Sequence, residues 1–235
     1  TQHFSPEAAD LLRQRADLLN EIMNTDFIII CFVMVNLANV GFMMIEIGSI
    51  KTRNNSILLF KNFIVSSIST ITFFVIGFGL SMEAKGGLFG QRNFIGLYYD
   101  FEDYTIFVYY LSLCVMMANI ATASIAERVS IDIYVFFSFI TAGFIFPLGL
   151  AWNWNNGWLQ QLGFIDSGGA CIVHVMGGMA GLVGAIIVGP RIGRFRRAAK
   201  YQYIMAEAAQ TELGNNQNGF KLDSESDSEE VTRKQ

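Results

Sequence analysis

The segment DSGGACIVHVMGG, residues 166–178, places a carboxylate, glycines and an imidazole in an otherwise apolar run. Asp166 precedes a helical pattern, so we expect its carboxylate to accept hydrogen bonds from the Gly168 and Gly169 amides and cap the helix. His174 lies about 12 Å further along the helix axis. A neutral imidazole at that depth can line a narrow pore for a small polar permeant, or form a hydrogen bond to a neighbouring helix. The residues alone leave both interpretations open.

A stripe of small residues follows the histidine. Gly177, Gly181 and Ala185 recur every four positions, a spacing that lets another helix backbone come very close. Glycines in an unpartnered helix would only weaken it. We therefore predict that the stripe packs tightly against a neighbouring helix, and that it forms an exposed face covered by another membrane subunit.

The composition indicates a membrane protein. Hydrophobic residues make up 52% of the 235 residues and charged residues only 15%, whereas a soluble domain carries nearer a quarter. Cys31, Cys114 and Cys171 stand singly in apolar stretches, which favours packing over disulfide formation or metal binding. No nucleophile–base pair or group of metal ligands is visible. We expect no enzyme activity, no metal, no cofactor and no nucleic acid partner.

Five stretches have the roughly 20 apolar residues that a helix needs to cross a bilayer. They lie at residues 26–48, 57–82, 105–126, 131–152 and 168–190. The second is interrupted by Lys61 and Asn62, and we expect the long Lys61 side chain to reach the nearby membrane interface. The predicted fold class is an all-α membrane protein with five transmembrane helices.

Basic residues give this bundle an orientation, because they gather on the inner side of a membrane. One side holds Lys51, Arg53, Arg128, Arg191, Arg194, Arg196, Arg197 and Lys200, and the other only Arg13, Arg15, Lys85 and Arg92. Five spans place the two termini on opposite sides. The N-terminus is predicted outside and the C-terminus inside.

Three segments flank the spans. Residues 1–25 have the spacing of an amphipathic helix, which either lies on the membrane surface or docks a partner. Residues 196–214 are basic and then helical in pattern. Residues 215–235 form an acidic tail that should be disordered unless a partner holds it.

Four motifs, in order, resemble the ammonium transporter family. They are NVGFMMIEIGSIKTRN at 39–54, LLFKNF at 58–63, ASIAERV at 123–129, and the stretch from WNWNNGWL to GPRIGRF at 152–195. The resemblance covers residues 26–195. It implies half of a fold in which two inverted five-helix repeats enclose a pore containing two histidines, usually within a trimer. This chain is similar to the first repeat.

The resemblance also assigns roles to individual residues. Trp154 matches the outer vestibule tryptophan, whose ring face attracts a cation, and Asp166 matches the acid that organises this outer site. His174 matches the first histidine of the pair. Leu113 stands where the family has a gate phenylalanine, and a leucine offers no ring face to a cation.

Residues 196–235 contain no apolar stretch long enough for a further span, so the second repeat is not found. A homodimeric pore would need one inverted copy, which the basic-residue asymmetry disfavours. We therefore predict a truncated family member acting as a non-transporting accessory or scaffold subunit. It would contact membrane lipids, and other membrane subunits would lie against the fifth span. The alternative is half of an ammonium or ammonia channel, completed by a separate chain.

The location follows from whichever role is correct. The family resemblance implies the plasma membrane. A subunit of a large energy-transducing complex would lie instead in an organellar inner membrane such as the mitochondrial one.

Overall fold

A computed structural model of the chain describes residues 6–85, 87–90, 94–97 and 99–191. Five helical runs within these ranges are long and apolar enough to cross a membrane, which confirms the predicted number. They are Glu7–Gly48, Thr52–Ser81, Phe101–Ala123, Ile131–Gln161 and Ala170–Val188, here called the first to fifth spans. The predicted segments 196–214 and 215–235 lie outside the described residues.

The described helices have the following bounds. The α-helices are Pro6–Gly48, Asn55–Thr72, Phe78–Ser81, Phe101–Ala123, Ile131–Ile140, Phe146–Asn153, Trp158–Gln161 and Met176–Val188. The second, fourth and fifth spans contain wider π-helical segments at Phe73–Gly77, Thr141–Ile145 and Ala170–Val175. Short 3₁₀ turns occupy Thr52–Asn54 and Phe94–Gly96. No strand occurs in the described ranges.

The first helix runs without a break from Pro6 to Gly48. Residue 25, where the sequence pattern separates an amphipathic segment from a span, is not a helix end. At 1.5 Å per residue the helix is about 64 Å long, roughly twice the thickness of a bilayer core. Its N-terminal part therefore extends beyond the membrane.

The third span lies at the centre of the bundle and contacts the first, second and fifth spans. Half of its most apolar window is buried, against 6% of the first span's window. The core around it is aliphatic and aromatic, and its fully buried members include Phe73, Cys114, Met117, Phe146, Leu150 and Ile172. The third span is thus the element on which the others pack.

Glycines bring the π-helical segments of the second and fourth spans together. A Cβ added at Gly77 would lie 2.5 Å from the Ala142 carbonyl oxygen, and one at Gly143 would lie 3.0 Å from Thr72 Cγ2. The first distance is too short for any other residue without a backbone shift. These two glycines therefore set the distance between the two spans.

Lys61 is buried, so the prediction that it reaches the membrane interface is wrong. Only 1% of the residue is exposed, and its ammonium group lies 2.7 Å from the Glu46 carboxylate of the first span. It also donates to the Thr122 hydroxyl at 3.3 Å and lies 5.3 Å from the centre of the Tyr134 ring. The opposite charge of Glu46 offsets much of the cost of taking the ammonium group out of water, a cost that an unpaired charge would bear in full.

Residues from three of the sequence motifs meet at one end of the bundle. The Asn54 side-chain amide donates to the Glu127 carboxylate, which joins the start of the second span to the end of the third. The Arg128 guanidinium donates to the Ser124 carbonyl and, at 2.7 Å, to the carbonyl of Gly189 at the end of the fifth span. The Ala-Glu-Arg motif thus ties three spans together.

Candidate functional site

An aromatic cluster lies where the fourth span's Phe146–Asn153 helix ends. Trp154 follows that helix, and its ring is stacked nearly parallel to Tyr109 of the third span, with centroids 6.5 Å apart and a 6° interplanar angle. Tyr110 lies 5.8 Å from the same indole at a tilt of 49°. All three residues are half-buried.

The indole is held from the other side by the loop before the fifth span. Trp154 Nε1 donates to the main-chain carbonyl of Asp166 at 3.3 Å. Asp166 therefore helps to position the tryptophan through its backbone, while its side chain points to the helix that follows.

The Asp166 carboxylate caps the fifth span with both oxygens. Oδ1 accepts a hydrogen bond from the Cys171 amide at 2.8 Å, and Oδ2 accepts one from the Ile172 amide at 3.2 Å. The expected donors were the Gly168 and Gly169 amides, and that detail is wrong. Both glycines have left-handed backbones, with φ of 63° and 80°, so they turn the chain and the helix begins only at Ala170.

Hydrogen bonds from the WNWNN segment fix this end of the bundle. The Asn155 amide donates to the Ser81 carbonyl at 2.7 Å, and the Trp152 indole donates to the Leu88 carbonyl at 2.9 Å. The Tyr110 hydroxyl donates to the Asn155 side-chain oxygen at 3.4 Å. The aromatic cluster is therefore attached to the second span and to the loop after it.

Leu113 lies one helical turn beyond Tyr109 and is buried, with 3% of its surface exposed. It belongs to the core cluster that also contains Cys114 and Phe146. The side chain at the position of the family's gate is therefore packed inside the five-helix bundle and does not lie on its outer surface.

His174 lies on the outside of the bundle. The residue is exposed, and the Phe42 ring of the first span is its aromatic neighbour, at 6.2 Å between centroids and a tilt of 45°. Within the described residues the imidazole makes no hydrogen bond. The described residues therefore supply no partner for the predicted hydrogen bond between His174 and a neighbouring helix.

The glycine stripe packs against the chain's own third span. A Cβ at Gly177 would lie 3.2 Å from the Met117 carbonyl oxygen, and one at Gly181 would lie 2.9 Å from Ser124 Oγ. Ser124 Oγ also donates to the Gly181 carbonyl at 2.8 Å. The expectation that this stripe is an exposed face for another subunit is wrong, because the third span already covers it. Ala185, the third member, is half-buried.

The opposite side of the fifth span is uncovered. Its exposed residues, here called the open face, are His174, Val175, Gly178, Met179, Leu182, Val183, Ile186 and Ile187. The contacts of Gly177 with Met117 and of Gly181 with Ala121 show that the third and fifth spans run side by side with an offset of sixty positions. His174 is thus level with Leu113 and Cys114.

Three residues of this region were missed from the sequence. Tyr109 and Tyr110 form an aromatic pair one turn before Leu113, and that pair was the available signal. Phe42 beside His174 had no sequence signal, since phenylalanine is common in this chain.

The described residues contain no group of three or more His, Cys, Asp or Glu side chains that could hold a metal ion. Cys31, Cys114 and Cys171 are free thiols. The chemistry of the site therefore consists of aromatic ring faces, one carboxylate engaged with backbone amides, and one exposed imidazole.

Known proteins are similar to this chain in sequence and in fold. A model of the Ammonium Transporter Family matches residues 26–215. Ammonium transporter 1 member 3 of Solanum lycopersicum is 31% identical over 195 residues, 75% of this chain and 41% of that protein. Ammonium transporter 3 of Dictyostelium discoideum is also 31% identical, over 74% of this chain and 41% of that protein.

A solved structure named Sensor Amt Protein has a TM-score of 0.67 and 32% sequence identity, over 72% of this chain and 45% of its own. The chain spans about two fifths of the length of the curated relatives that it matches. This family consists of transporters and not of enzymes. With five apolar spans and a family match over most of its length, this chain is an integral membrane protein that belongs to the ammonium transporter family.

Proposed function

We propose that this chain is a non-transporting accessory or scaffold subunit of a larger membrane complex. The observation that carries the proposal is the open face of the fifth span. His174 lies there beside Phe42, and the described residues enclose no channel around it. An imidazole facing lipid is unfavourable, so a further protein surface is needed to cover it.

The position of Leu113 supports the same role. A cation that leaves the aromatic cluster for His174 would pass the level of this residue, where a phenylalanine ring could hold it by its face. A leucine provides only an apolar surface, and this one is packed into the core. The side chain therefore contributes to packing and offers nothing to a permeating cation.

A second candidate function is half of an ammonium or ammonia channel, completed by another protein segment that supplies the second half. The stack of Trp154 on Tyr109 favours it, because half-buried aromatic faces attract cations. In that case the covering surface carries its own histidine opposite His174. The relatives named as ammonium transporters are consistent with this alternative.

One experiment separates the two candidates. The tagged chain is purified from its native membrane in mild detergent, the co-purifying proteins are identified, and the whole assembly is reconstituted for ammonium flux. A scaffold subunit co-purifies with unrelated membrane proteins. The ammonium flux of that assembly is then the same with His174 and with His174→Ala. A half channel brings a chain with a second five-helix repeat. In that assembly Trp154→Leu and His174→Ala both lower the flux.

We propose further that the N-terminus is outside and the C-terminus inside. Lys51, Arg53 and Arg128 lie at the same end of the bundle, where Asn54 contacts Glu127. Basic residues at one end favour that end as the inner one. Protease digestion of sealed vesicles that carry a tag at either terminus tests the assignment, and digestion of a C-terminal tag from the outside contradicts it.

A further inference from the structure

The N-terminal part of the first span is an unusual projection. The polar residues Asn24, Thr25 and Asp26 come directly before the apolar stretch 27–48. That stretch alone is about 33 Å long, which is enough to cross a bilayer core. Residues 6–25, here called the N-terminal extension, continue the same helix for about 30 Å more. This projection is attached to the bundle at Glu21 and Thr25, which line a cleft with Glu102 and Thr105.

The apolar side of the extension is left exposed by the bundle. Within the membrane, the first span faces the other helices with residues at helical spacing, namely Thr25, Ile28, Val35, Asn39 and Glu46. The same spacing continues through the extension as Glu7, Asp10, Gln14, Asp17 and Glu21. The adjoining half of the circumference carries six large apolar side chains that are 48 to 67% exposed: Leu11, Leu12, Leu18, Leu19, Ile22 and Met23.

This apolar face needs a cover, because six large apolar side chains that are 48 to 67% exposed on one side of a helix mark an interaction surface. The chain's own bundle leaves these side chains exposed. The membrane surface is not a cover either, because the helix would have to bend by about a right angle near residue 25 to lie on it. The helix from Pro6 to Gly48 has no such bend.

A second copy of the chain is a poor cover for a different reason. Copies inserted in one membrane share an orientation, so their extensions would pair in parallel and in register. Arg15 and Asp26 are exposed and lie in the middle of the outward face. In a parallel pair each would meet its own counterpart, and like charges across an interface cost several kcal/mol.

We propose that the N-terminal extension is a docking helix for a different protein. Its apolar face binds an apolar groove that presents a carboxylate to Arg15 and a cationic side chain to Asp26. These two charges are eleven residues apart, which separates them by about 16 Å along the helix axis. Helix-in-groove binding of this kind uses leucines as anchors, and the charge pairs set the register. The inference rests on the proposed subunit role and names the chemistry of one partner.

Cysteine labelling tests what covers the extension. Cys31, Cys114 and Cys171 are replaced by alanine, and the background is accepted if the chain still assembles with its complex. Leu19→Cys then reports on the apolar face and Asp17→Cys on the opposite one. A membrane-impermeant maleimide is applied to open native membranes and to purified chain in phosphatidylcholine vesicles.

With a protein partner, the cysteine at 19 reacts about tenfold more slowly than the one at 17 in native membranes, and equally fast in vesicles. Equal rates in native membranes overturn the proposal, since nothing then covers the face. Protection that persists in vesicles also overturns it. Disulfide-linked dimers then identify a second copy as the cover, and their absence identifies lipid.

Charge reversal tests the same proposal without removing any cysteine. Arg15→Glu should lower recovery of the partner with the otherwise native chain about tenfold. Arg13→Glu is the matched control, because this arginine lies on the other side of the helix, near Asp10. Equal loss with both variants contradicts the predicted carboxylate opposite Arg15. Flux that depends on His174 would overturn the subunit role and leave these labelling results unaffected.

Discussion

Lys61 and His174 are both ionisable residues within apolar spans, and the fold treats them in opposite ways. Lys61 is buried between three spans, where Glu46 neutralises its charge and Thr122 accepts a further hydrogen bond. His174 is exposed on the outer side of the fifth span and has a phenylalanine ring for a neighbour. Each stands in a segment that resembles the same family.

The contrast separates an ionisable side chain whose partners lie within this chain from one whose partner is not among the described residues. The Lys61 ammonium group finds its partners, Glu46 and Thr122, within the chain. The side-chain amides of Asn62 and Asn119, on the second and third spans, are buried without a hydrogen-bond partner in the part of the chain that the structure describes. The imidazole at the level of Leu113 has none among the described residues. The same division applies to the glycines of the fifth span, where Gly181 is covered and Gly178 has nothing within 4 Å.

The largest effect is expected from Lys61→Met. Removing one partner leaves the Glu46 carboxylate buried and unpaired, which costs about 3–5 kcal/mol of unfolding free energy. Thermal unfolding of the purified chain in detergent measures it. The double variant Glu46→Gln with Lys61→Met should recover much of the loss, because neither charge then remains in the core. A single variant as stable as the wild type would show that the ion pair does not hold the spans together.

Gly181→Ala should have the next largest effect. The added methyl group would lie 2.9 Å from Ser124 Oγ and 3.4 Å from the Ala121 carbonyl. Either the Ser124 hydroxyl turns away and gives up its hydrogen bond to the Gly181 carbonyl, or the third and fifth spans separate. Overpacking of this kind costs about 1–3 kcal/mol.

Gly178→Ala is the matched control on the open face. Nothing within 4 Å opposes the new methyl group there. Alanine should therefore stabilise the helix by up to about 1 kcal/mol through its higher helix propensity. Similar losses from both substitutions would mean that the open face is covered when the chain is purified, which would undo the comparison.

Asp166→Ala should have a smaller effect, at the start of the same span. The carboxylate satisfies the Cys171 and Ile172 amides, and loss of a helix cap costs about 0.5–2 kcal/mol. Asp166→Asn keeps one acceptor oxygen and should lose less. Tryptophan fluorescence, in a background where Trp152 and Trp158 are replaced by phenylalanine, reports in parallel whether the Trp154 indole keeps its position. If Ala and Asn variants unfold at the same temperature as the wild type, the cap is not a stabilising element.

The spans could be predicted from the sequence because an apolar stretch of sufficient length has few other uses. The predicted span 105–126 and the observed Phe101–Ala123 differ only at their ends. A small-residue stripe likewise indicates close packing from its own spacing. Which helix packs there, and on which side of the bundle, depends on contacts about sixty residues away in sequence.

The environment of single polar groups was harder to predict. From the sequence alone, Lys61 is predicted to lie at the membrane interface. Its burial could be predicted only if the Glu46 carboxylate, on another helix, were known to lie 2.7 Å from the Lys61 ammonium group. The cap at Asp166 was foreseen, but its donors depend on the left-handed backbone of Gly168 and Gly169, which the residue types permit and do not require. Tyr109 becomes part of the aromatic cluster only through its stack on a tryptophan 45 positions later.

His174→Ala should have the smallest effect on the isolated chain, within about 0.5 kcal/mol, because an exposed side chain without hydrogen bonds contributes little. Its effect should appear only in the native assembly, where a covering surface meets the imidazole. Recovery of the co-purifying proteins measures this, with Val175→Ala as control because Val175 is 57% exposed on the same face. Lower recovery with the first variant alone places a hydrogen-bonding partner opposite the imidazole. Unchanged recovery with both means that the open face of the fifth span contacts lipid, and that the complex is held together elsewhere.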